Sequence, residues 1–255
     1  TPIDGLKEIA QDTGAYLIED AAQGLGGILN GRPFGTMGDF GFYSFGRGKP
    51  LPLGYGGALV GKDTGVLSGL DLKPGNKGYA SLMSTAVSQV MSKTSLYWIP
   101  EMLPLGLGET IFDPGFDVSA MPLVMKKLGG KSMAVLDELN THRRHIAKTY
   151  EEAFDDGRGI PVPDESKPVY TRFPLMAGLI QIAKELKRLG VRRMYPKAIT
   201  DEETIKPYLV DQKASTPGAF EIASKLITLP THKGISENLA KEIAEKVMTA
   251  YQRRS

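Results

Sequence analysis

A helical segment and three short apolar runs occupy the first part of the chain, and this order restricts the fold. Apolar residues recur at helical spacing over residues 2–13, and Gly14 follows as a stop signal. The runs "AYLIED" (15–20), "GFYSF" (41–45) and "GALVG" (57–61) are strand-like and are bounded by glycine or acidic residues. We predict that the first run is a buried strand. A helix followed by strands predicts an α/β sheet layer rather than a helical bundle.

The later part of the chain combines helical and strand-like patterns. We predict one or two helices, a strand, a helix and a C-terminal helix, over residues 123–154, 168–177, 179–190 and 239–254 respectively. The first of these helical stretches should break at the pair Gly129-Gly130. These elements predict a second, smaller α/β unit, with a domain boundary near residue 130 that separates residues 1–130 from residues 131–255.

Residues 65–122 differ in composition from the segments on either side. A helical pattern over residues 80–93 is followed by an apolar stretch that Pro100 and Pro104 interrupt. The apolar side chains are interpreted as core or as a subunit contact, since the prolines argue against a membrane-associated role. We expect this segment to be a divergent helical part of the first domain.

Composition excludes several classes of protein. The 255 residues are 41% hydrophobic and 24% charged with a net charge of +2, and this near balance argues against a dedicated nucleic-acid binder. The absence of cysteine excludes disulfides and thiolate metal sites. His142 and His145 lie three residues apart on a predicted helix, where they could chelate a metal or form solvated surface. No apolar stretch reaches the roughly 18 residues of a membrane span, and we expect a cytoplasmic protein.

Lys49 lies in a turn rich in glycine and proline, "GRGKPLPLG" (46–54). It is either a turn lysine that points to solvent, or a lysine whose neutral amine attacks a carbonyl group. A solvated lysine does not need so specialised a turn, and a buried lysine requires something to compensate its charge. Lys49 by itself does not decide between the two interpretations.

Two polar residues near Lys49 in sequence favour a cofactor site. Asp20 and Ser44 lie at the carboxyl ends of predicted strands, where open α/β sheets bind ligands. Pyridoxal phosphate requires a lysine for its aldehyde, a carboxylate for its pyridine nitrogen and donors for its phosphate. Asp20 is the candidate carboxylate, and Ser44 and the backbone N–H groups of residues 46–48 are candidate phosphate donors. Together with Lys49 they predict a pyridoxal phosphate site.

The same residues form part of a longer pattern. The stretch "IEDAAQGLGG" (18–27), followed by "GTMGDFGFYSFGRGKPLPLGYGGALVGKD" (35–63), resembles the DegT/DnrJ/StrS family of pyridoxal-phosphate-dependent sugar aminotransferases. The resemblance continues through the later helices and covers nearly the whole chain except residues 65–122. It implies a fold type I protein, in which part of a large cofactor-binding domain precedes a linking helix and a smaller C-terminal α/β domain.

The resemblance also implies roles for single residues. Lys49 would form the internal aldimine, and Asp20 would pair with the pyridine nitrogen. Ala22 would pack on the ring, Gln23 would bond the ring's phenolic oxygen, and Ser44 would bind the phosphate. The implied reaction transfers an amino group from glutamate to a keto-sugar nucleotide in a homodimer. A lysine at position 49 argues against the dehydratase branch of the family, which has a histidine there.

Two residues depart from the family pattern. Tyr55, in "GYGG", stands where the family has a glutamate. Asp117, in "GFDVSAM", stands where the family has an asparagine that reaches the cofactor phosphate of the neighbouring subunit. At about 4 Å and an effective dielectric constant of about 20, two like charges repel by roughly 4 kcal/mol. Asp117 therefore points elsewhere, is protonated, or weakens phosphate binding.

The resemblance begins partway through the family's large domain. We therefore expect a longer gene product or a partner chain that supplies the upstream part. Two alternatives to an aminotransferase stay open: a non-catalytic relative that retains the fold, and a pyridoxal phosphate lyase or racemase on the same scaffold.

Overall fold

The described residues form two compact units of α/β structure. The computed structural model describes residues 3–75, 78–79, 82–83, 86, 118–178, 182–193, 195, 197–211 and 215–252. The first unit contains the described residues before 87, together with residues 118–144 and 162–171. The second unit contains residues 145–161 and the described residues from 172 onward. Within these ranges, no helix has the length and apolar character needed to cross a membrane.

The first unit combines short strands with helices. Its elements in chain order are α1 (Ile3–Thr13), β1 (Ile18–Asp20), β2 (Ile28–Leu29), β3 (Arg32–Pro33), β4 (Phe40–Ser44), β5 (Gly57–Gly61), α2 (Thr64–Ser68), β6 (Lys73–Pro74), β7 (Ser119–Ala120), α3 (Leu123–Ser132), the first part of α4 (Leu136–Ala153) and β8 (Ser166–Lys167). The helix predicted over residues 2–13 and the strands predicted near residues 41–45 and 57–61 are confirmed. The helix predicted over residues 80–93 lies outside the described residues.

The second unit is built on a two-stranded antiparallel sheet. Its elements are the remainder of α4, β9 (Arg172–Met176), α5 (Lys184–Arg188), α6 (Pro217–Lys225), β10 (Leu226–Pro230) and α7 (Glu237–Gln252). Two 3₁₀ turns lie between α5 and α6, at Ile199–Asp201 and Lys206–Tyr208. The predicted C-terminal helix and the strand within residues 168–177 are confirmed, although the strand begins only at Arg172. The domain boundary near residue 130 stays a prediction.

A three-stranded sheet in the order β1-β4-β5 lies in the first unit. β1 runs parallel to β4, with Ile18 opposite Phe40 and Asp20 opposite Phe42. β5 runs antiparallel to β4. Side chains of paired residues share a face, and alternate residues along a strand return to that face. Asp20, Phe42 and Ser44 therefore lie on one face of this sheet.

The prediction that the first strand is buried is wrong. Ile18 has 58% of its surface exposed, and β1 spans only Ile18–Asp20. Among the described strands, β1 is an edge strand that pairs with β4 alone. An apolar run without a neighbouring strand on one side is less covered than the same run within a sheet.

Close backbone contacts explain two glycines of this sheet. A methyl group added to Gly41 would lie 2.0 Å from the carbonyl oxygen of Gly35, and one added to Gly57 would lie 2.4 Å from that of Tyr43. Gly35 itself has φ +86, a left-handed conformation that favours glycine. The loop that precedes β4 can therefore lie directly against the strand.

Glu19 holds this loop against β1. Its two carboxylate oxygens accept hydrogen bonds from the backbone N–H groups of Gly35 (2.9 Å), Met37 (2.5 Å) and Gly38 (2.6 Å). The phenol of Tyr43 donates a second link to the loop, at 2.5 Å to the carbonyl oxygen of Phe34. Burial, and to a lesser extent the charge of Glu19, raises the pKa of Tyr43 above its ordinary value.

The helix break predicted at Gly129-Gly130 is wrong. α3 runs through both glycines to Ser132, and a 3₁₀ turn at Met133–Val135 then leads into α4. Gly129 is buried, and a methyl group there would lie 3.2 Å from a side-chain carbon of Leu53. The apolar cluster beside it contains Leu51, Leu53, Met125 and Leu136. This packing outweighs the roughly 1 kcal/mol by which glycine disfavours a helix.

A polar side chain of α4 fixes the turn that follows β1. Asn140, only 1% exposed, donates from Nδ2 to the carbonyl oxygen of Leu25 at 3.0 Å. Its Oδ1 accepts from Arg143 Nη1 at 2.7 Å, and burial lowers the pKa of Arg143 to about 10. Gly26 has φ +83, and a methyl group there would lie 2.4 Å from Asn140 Nδ2. The hydrogen bond from Asn140 therefore holds the turn against α4, and it requires glycine at position 26.

The core of the second unit lies between α4, α7 and the β9–β10 pair. Tyr150 is fully buried and donates its hydroxyl to the carbonyl oxygen of Pro230 at 3.0 Å. Its ring lies 5.4 Å from that of Phe173, centroid to centroid. Arg172 crosses the sheet, where its Nε donates to Thr228 Oγ1 at 2.6 Å. These contacts join α4 to both strands of the unit.

Replacing the carboxylate of Glu19 should loosen the loop that precedes β4. Glu19→Gln keeps one acceptor oxygen but brings an NH₂ group toward N–H donors, so we expect about 1–3 kcal/mol less free energy of unfolding. Urea denaturation measures it, with Glu8→Gln on the exposed face of α1 as the matched control. Equal stability of the two variants would contradict the role given to Glu19.

Truncating Asn140 should destabilise the first unit. Asn140→Ala leaves the Leu25 carbonyl and the Arg143 guanidinium without their buried partner, and we expect about 2 kcal/mol less free energy of unfolding. The control is Thr141→Ala at the next, exposed position of the helix, with an expected change below about 0.5 kcal/mol. Thermal and urea unfolding of both variants test this, and a loss no larger in Asn140→Ala than in the control would refute it.

Candidate functional site

Two of the sequence-predicted site residues lie at the same edge of the β1-β4-β5 sheet. Asp20 is the last residue of β1 and Ser44 is the last residue of β4. Since the strands are parallel and Asp20 is opposite Phe42, Ser44 lies two residues further toward the carboxyl edge on the same face. The carboxyl edge of parallel strands is where open α/β sheets bind ligands.

The carboxylate of Asp20 is oriented by the turn that follows it. Oδ1 accepts a hydrogen bond from the backbone N–H of Ala22 at 3.0 Å. The chain then turns, and the N–H of Gly24 donates to the carbonyl oxygen of Ala21 at 2.8 Å. Asp20 and Gln23 are exposed and Ala22 is half-buried, so the turn presents three of the predicted site residues at the sheet edge.

Ser44 and Lys49 converge on Gly46. The hydroxyl oxygen of Ser44 accepts from the N–H of Gly46 at 3.2 Å, and the N–H of Lys49 donates to the carbonyl oxygen of Gly46 at 3.3 Å. A methyl group added to Gly46 would lie 3.3 Å from Ser44 Oγ and 3.9 Å from Lys49 Cγ. Glycine at this position therefore leaves open the space that both side chains border.

The turn leaves Lys49 half-buried rather than fully solvated. Gly48, directly before it, has φ +75 and allows the tight return of the chain. Within the part of the chain that the structure describes, no hydrogen bond or ion pair joins Lys49 to Asp20. The catalytic roles of these two residues stay predictions.

Gln23 contacts a residue that the sequence reasoning missed. Its Oε1 accepts a hydrogen bond from Thr171 Oγ1 at 2.9 Å, although 148 positions separate the two residues. Thr171 directly precedes β9 and follows Tyr170, whose φ of 52 is left-handed. No local pattern in "PVYTRFPLM" distinguishes this threonine, so only the folded chain reveals the contact.

The two departures from the family pattern have different outcomes. Tyr55 is half-buried and packs against the apolar cluster of Leu51, Leu53, Met125 and Leu136. It therefore serves as a packing residue of the first unit. Asp117 lies outside the described residues, so its relation to a cofactor phosphate stays a prediction.

The arrangement can bind an anion beside a primary amine. A hydroxyl that accepts one hydrogen bond retains its own hydrogen to donate, and the short glycine-rich turn adds backbone N–H groups. Lys49 brings an amine to the same turn, and Asp20 brings a carboxylate on the same sheet face. A phosphorylated aldehyde with a basic ring nitrogen matches this set of groups chemically.

Comparisons with known proteins identify relatives of this chain. A model of the DegT/DnrJ/EryC1/StrS aminotransferase family matches residues 1–248. The spore coat polysaccharide biosynthesis protein SpsC of Bacillus subtilis (strain 168) is 24% identical over 264 residues, which cover 96% of this chain and 62% of that protein. The GDP-perosamine synthase of Vibrio cholerae is 40% identical over 58 residues, which cover 23% of this chain and 16% of that protein.

The fold is also found among solved structures. A DegT DnrJ EryC1 StrS aminotransferase from Brucella abortus matches with a TM-score of 0.67 at 22% identity, covering 98% of this chain and 61% of that chain. The chain thus spans about three fifths of the length of SpsC and of the Brucella protein. The structural match shows a shared fold type I architecture. The family-model match over residues 1–248 shows that the chain belongs to the DegT/DnrJ/EryC1/StrS aminotransferase family.

Proposed function

We propose that the chain carries the pyridoxal phosphate site of an aminotransferase that transfers an amino group to a keto-sugar nucleotide. The convergence of Ser44 and Lys49 at Gly46, on the sheet edge that also carries Asp20, is the observation that supports this function best. When bound, pyridoxal phosphate supplies an electrophilic aldehyde and a ring that withdraws electrons from the substrate.

The residues around Gly46 suit the phosphate and the aldehyde. Ser44 and the N–H groups of the following turn donate hydrogen bonds to phosphate oxygens, where charge-assisted bonds are strongest. Lys49, held half-buried by the turn, directs its amine toward the aldehyde and later moves a proton at the reacting carbon. The missing side chain at position 46 gives the cofactor access to both residues.

Asp20 and the turn behind it suit the ring. The carboxylate, oriented by the N–H of Ala22, holds a proton on the pyridine nitrogen, which strengthens electron withdrawal by the ring. Ala22 offers a small apolar side chain to the ring face. Gln23, exposed on the same turn, bonds the phenolic oxygen. These assignments extend the family resemblance to the described geometry.

The acceptor and the donor are the finer parts of the proposal. Similarity to a GDP-perosamine synthase and to a spore coat polysaccharide biosynthesis protein supports a nucleotide-linked sugar as the acceptor. Glutamate as the amino donor is supported by the family resemblance alone. A homodimer is likewise proposed from the resemblance.

Removing the Lys49 amine should abolish covalent attachment of the cofactor. With pyridoxal phosphate added, the purified protein should show a visible absorption band that borohydride eliminates and that glutamate consumes as the amino group is transferred. Lys49→Ala should show no such band, because its side chain cannot react with the aldehyde. The control Lys126→Ala, at an exposed position of α3, should retain the band.

Other spectra would contradict the proposal. A folded wild-type protein without the band, or a Lys49→Ala variant that keeps it, would refute the cofactor role of Lys49. Racemisation of alanine without any response to glutamate would favour a racemase, and no response to either amino acid would favour a non-catalytic relative.

Removing the Ser44 hydroxyl should weaken binding of the phosphate. We expect Ser44→Ala to bind pyridoxal phosphate about tenfold more weakly, since one charge-assisted hydrogen bond is lost. Pyridoxal, which lacks the phosphate, should bind equally to both proteins, and Ser68→Ala on α2 is the control for a serine away from the turn. Fluorescence titration measures all of these affinities. A parallel loss for pyridoxal would place the effect elsewhere than on the phosphate.

A further inference from the structure

Strand pairing explains how Thr171 comes to contact Gln23. β8 pairs antiparallel with β2, with Ile28 opposite Lys167 and Leu29 opposite Ser166. The N–H of Asn30 extends this pairing by donating to the carbonyl oxygen of Glu165 at 3.1 Å. Continued in the other direction, the same register brings the segment around residue 171 alongside the turn that carries Gln23. The pairing of β8 with β2 therefore brings Thr171 close to Gln23.

The backbone next to Thr171 is held in a costly conformation. Tyr170 has φ 52, and a residue other than glycine is strained in this left-handed region. Val169, one residue earlier, is 4% exposed and anchors the segment. Thr171 follows this bend directly and precedes Arg172, the first residue of β9. The strained residue, Tyr170, therefore lies directly before Thr171.

The contact between Thr171 and Gln23 matters because the two ends of a glutamine amide differ chemically. A glutamine side chain has one acceptor end and one donor end. The Thr171 hydroxyl donates to Oε1 at 2.9 Å, so Oε1 is the end of the amide that faces Thr171 and Nε2 is the donor end. A phenolate oxygen can only accept, so it requires the amide in this orientation.

We propose that Thr171 is a positioning residue that sets the amide orientation of Gln23, so that Gln23 donates to the phenolic oxygen of the cofactor. This proposal rests on the proposed function, because it assumes that pyridoxal phosphate occupies the site. It adds a residue from the late part of the chain to a site whose other described residues lie within residues 20–49.

A double-mutant cycle tests the proposal. The affinity for pyridoxal phosphate is measured by fluorescence titration in wild type, Thr171→Val, Thr171→Ser, Gln23→Ala and the double variant Gln23→Ala/Thr171→Val. Thr171→Val keeps the shape but removes the donor, and we expect about fivefold weaker binding, the value of one hydrogen bond. Thr171→Ser restores the hydroxyl and should stay within about twofold of wild type. In the Gln23→Ala background, Thr171→Val should have no further effect.

A second readout does not depend on the cofactor. The side-chain NH₂ signals of Gln23 are identified in a nitrogen–proton NMR spectrum by their loss in Gln23→Ala. They should shift in Thr171→Val and stay near their wild-type positions in Thr171→Ser. This measurement reports the orientation of the amide even in a protein without pyridoxal phosphate.

The outcomes separate the two proposals. Unchanged Gln23 signals in Thr171→Val, or an equal loss of affinity in the Gln23→Ala background, would overturn the positioning role while the cofactor site stands. If the Gln23 signals shift in Thr171→Val but the wild-type protein does not bind pyridoxal phosphate, the proposed function is overturned, and with it the donation to the cofactor. Coupled losses with rescue by serine would support both.

Discussion

The parallel pairing of β1 with β4 determines where the candidate site lies. It aligns Asp20 with Phe42 and so brings the ends of both strands, with Asp20 and Ser44, to one edge and one face. Parallel neighbours require a crossover connection, and here the 21–39 segment makes it. That segment is consequently fixed at both ends by the sheet, and its first turn carries Ala22 and Gln23 beside the strand end.

The crossover segment packs closely against β4 because glycine, which has no side chain, lies at the point of contact. Gly41 allows the carbonyl oxygen of Gly35 to approach the strand. The carboxylate of Glu19 accepts hydrogen bonds from the backbone N–H groups of Gly35, Met37 and Gly38. Glu19 and Asp20 are adjacent in sequence but point to opposite faces of β1. The two adjacent carboxylates therefore have different roles. Glu19 stabilises the loop, and Asp20 is exposed at the candidate site.

Local patterns were sufficient to predict that candidate site residues lie at strand ends and in a glycine-rich turn. Strand ends at Asp20 and Ser44 and the turn before Lys49 could be inferred because period, glycine and strand length are encoded within a few residues. The helix through Gly129-Gly130 and the exposure of Ile18 could not, since both depend on which distant residues pack nearby. Thr171 and Asn140 were missed for the same reason: nothing within "VYTRF" or "DELNT" shows that these side chains bond to residues 23 and 25.

The turn at residues 21–27 is held from two sides by the late part of the chain. Asn140 binds the carbonyl oxygen of Leu25, and Thr171 binds the side chain of Gln23. Both anchors contact residues more than a hundred positions earlier, and both belong to the first unit although the chain enters the second unit between them. The geometry of the motif at residues 18–49 therefore depends on segments that come much later in the chain. The candidate site is complete only when α4 has packed against this turn and β8 has paired with β2, so its geometry depends on the folding of the first unit.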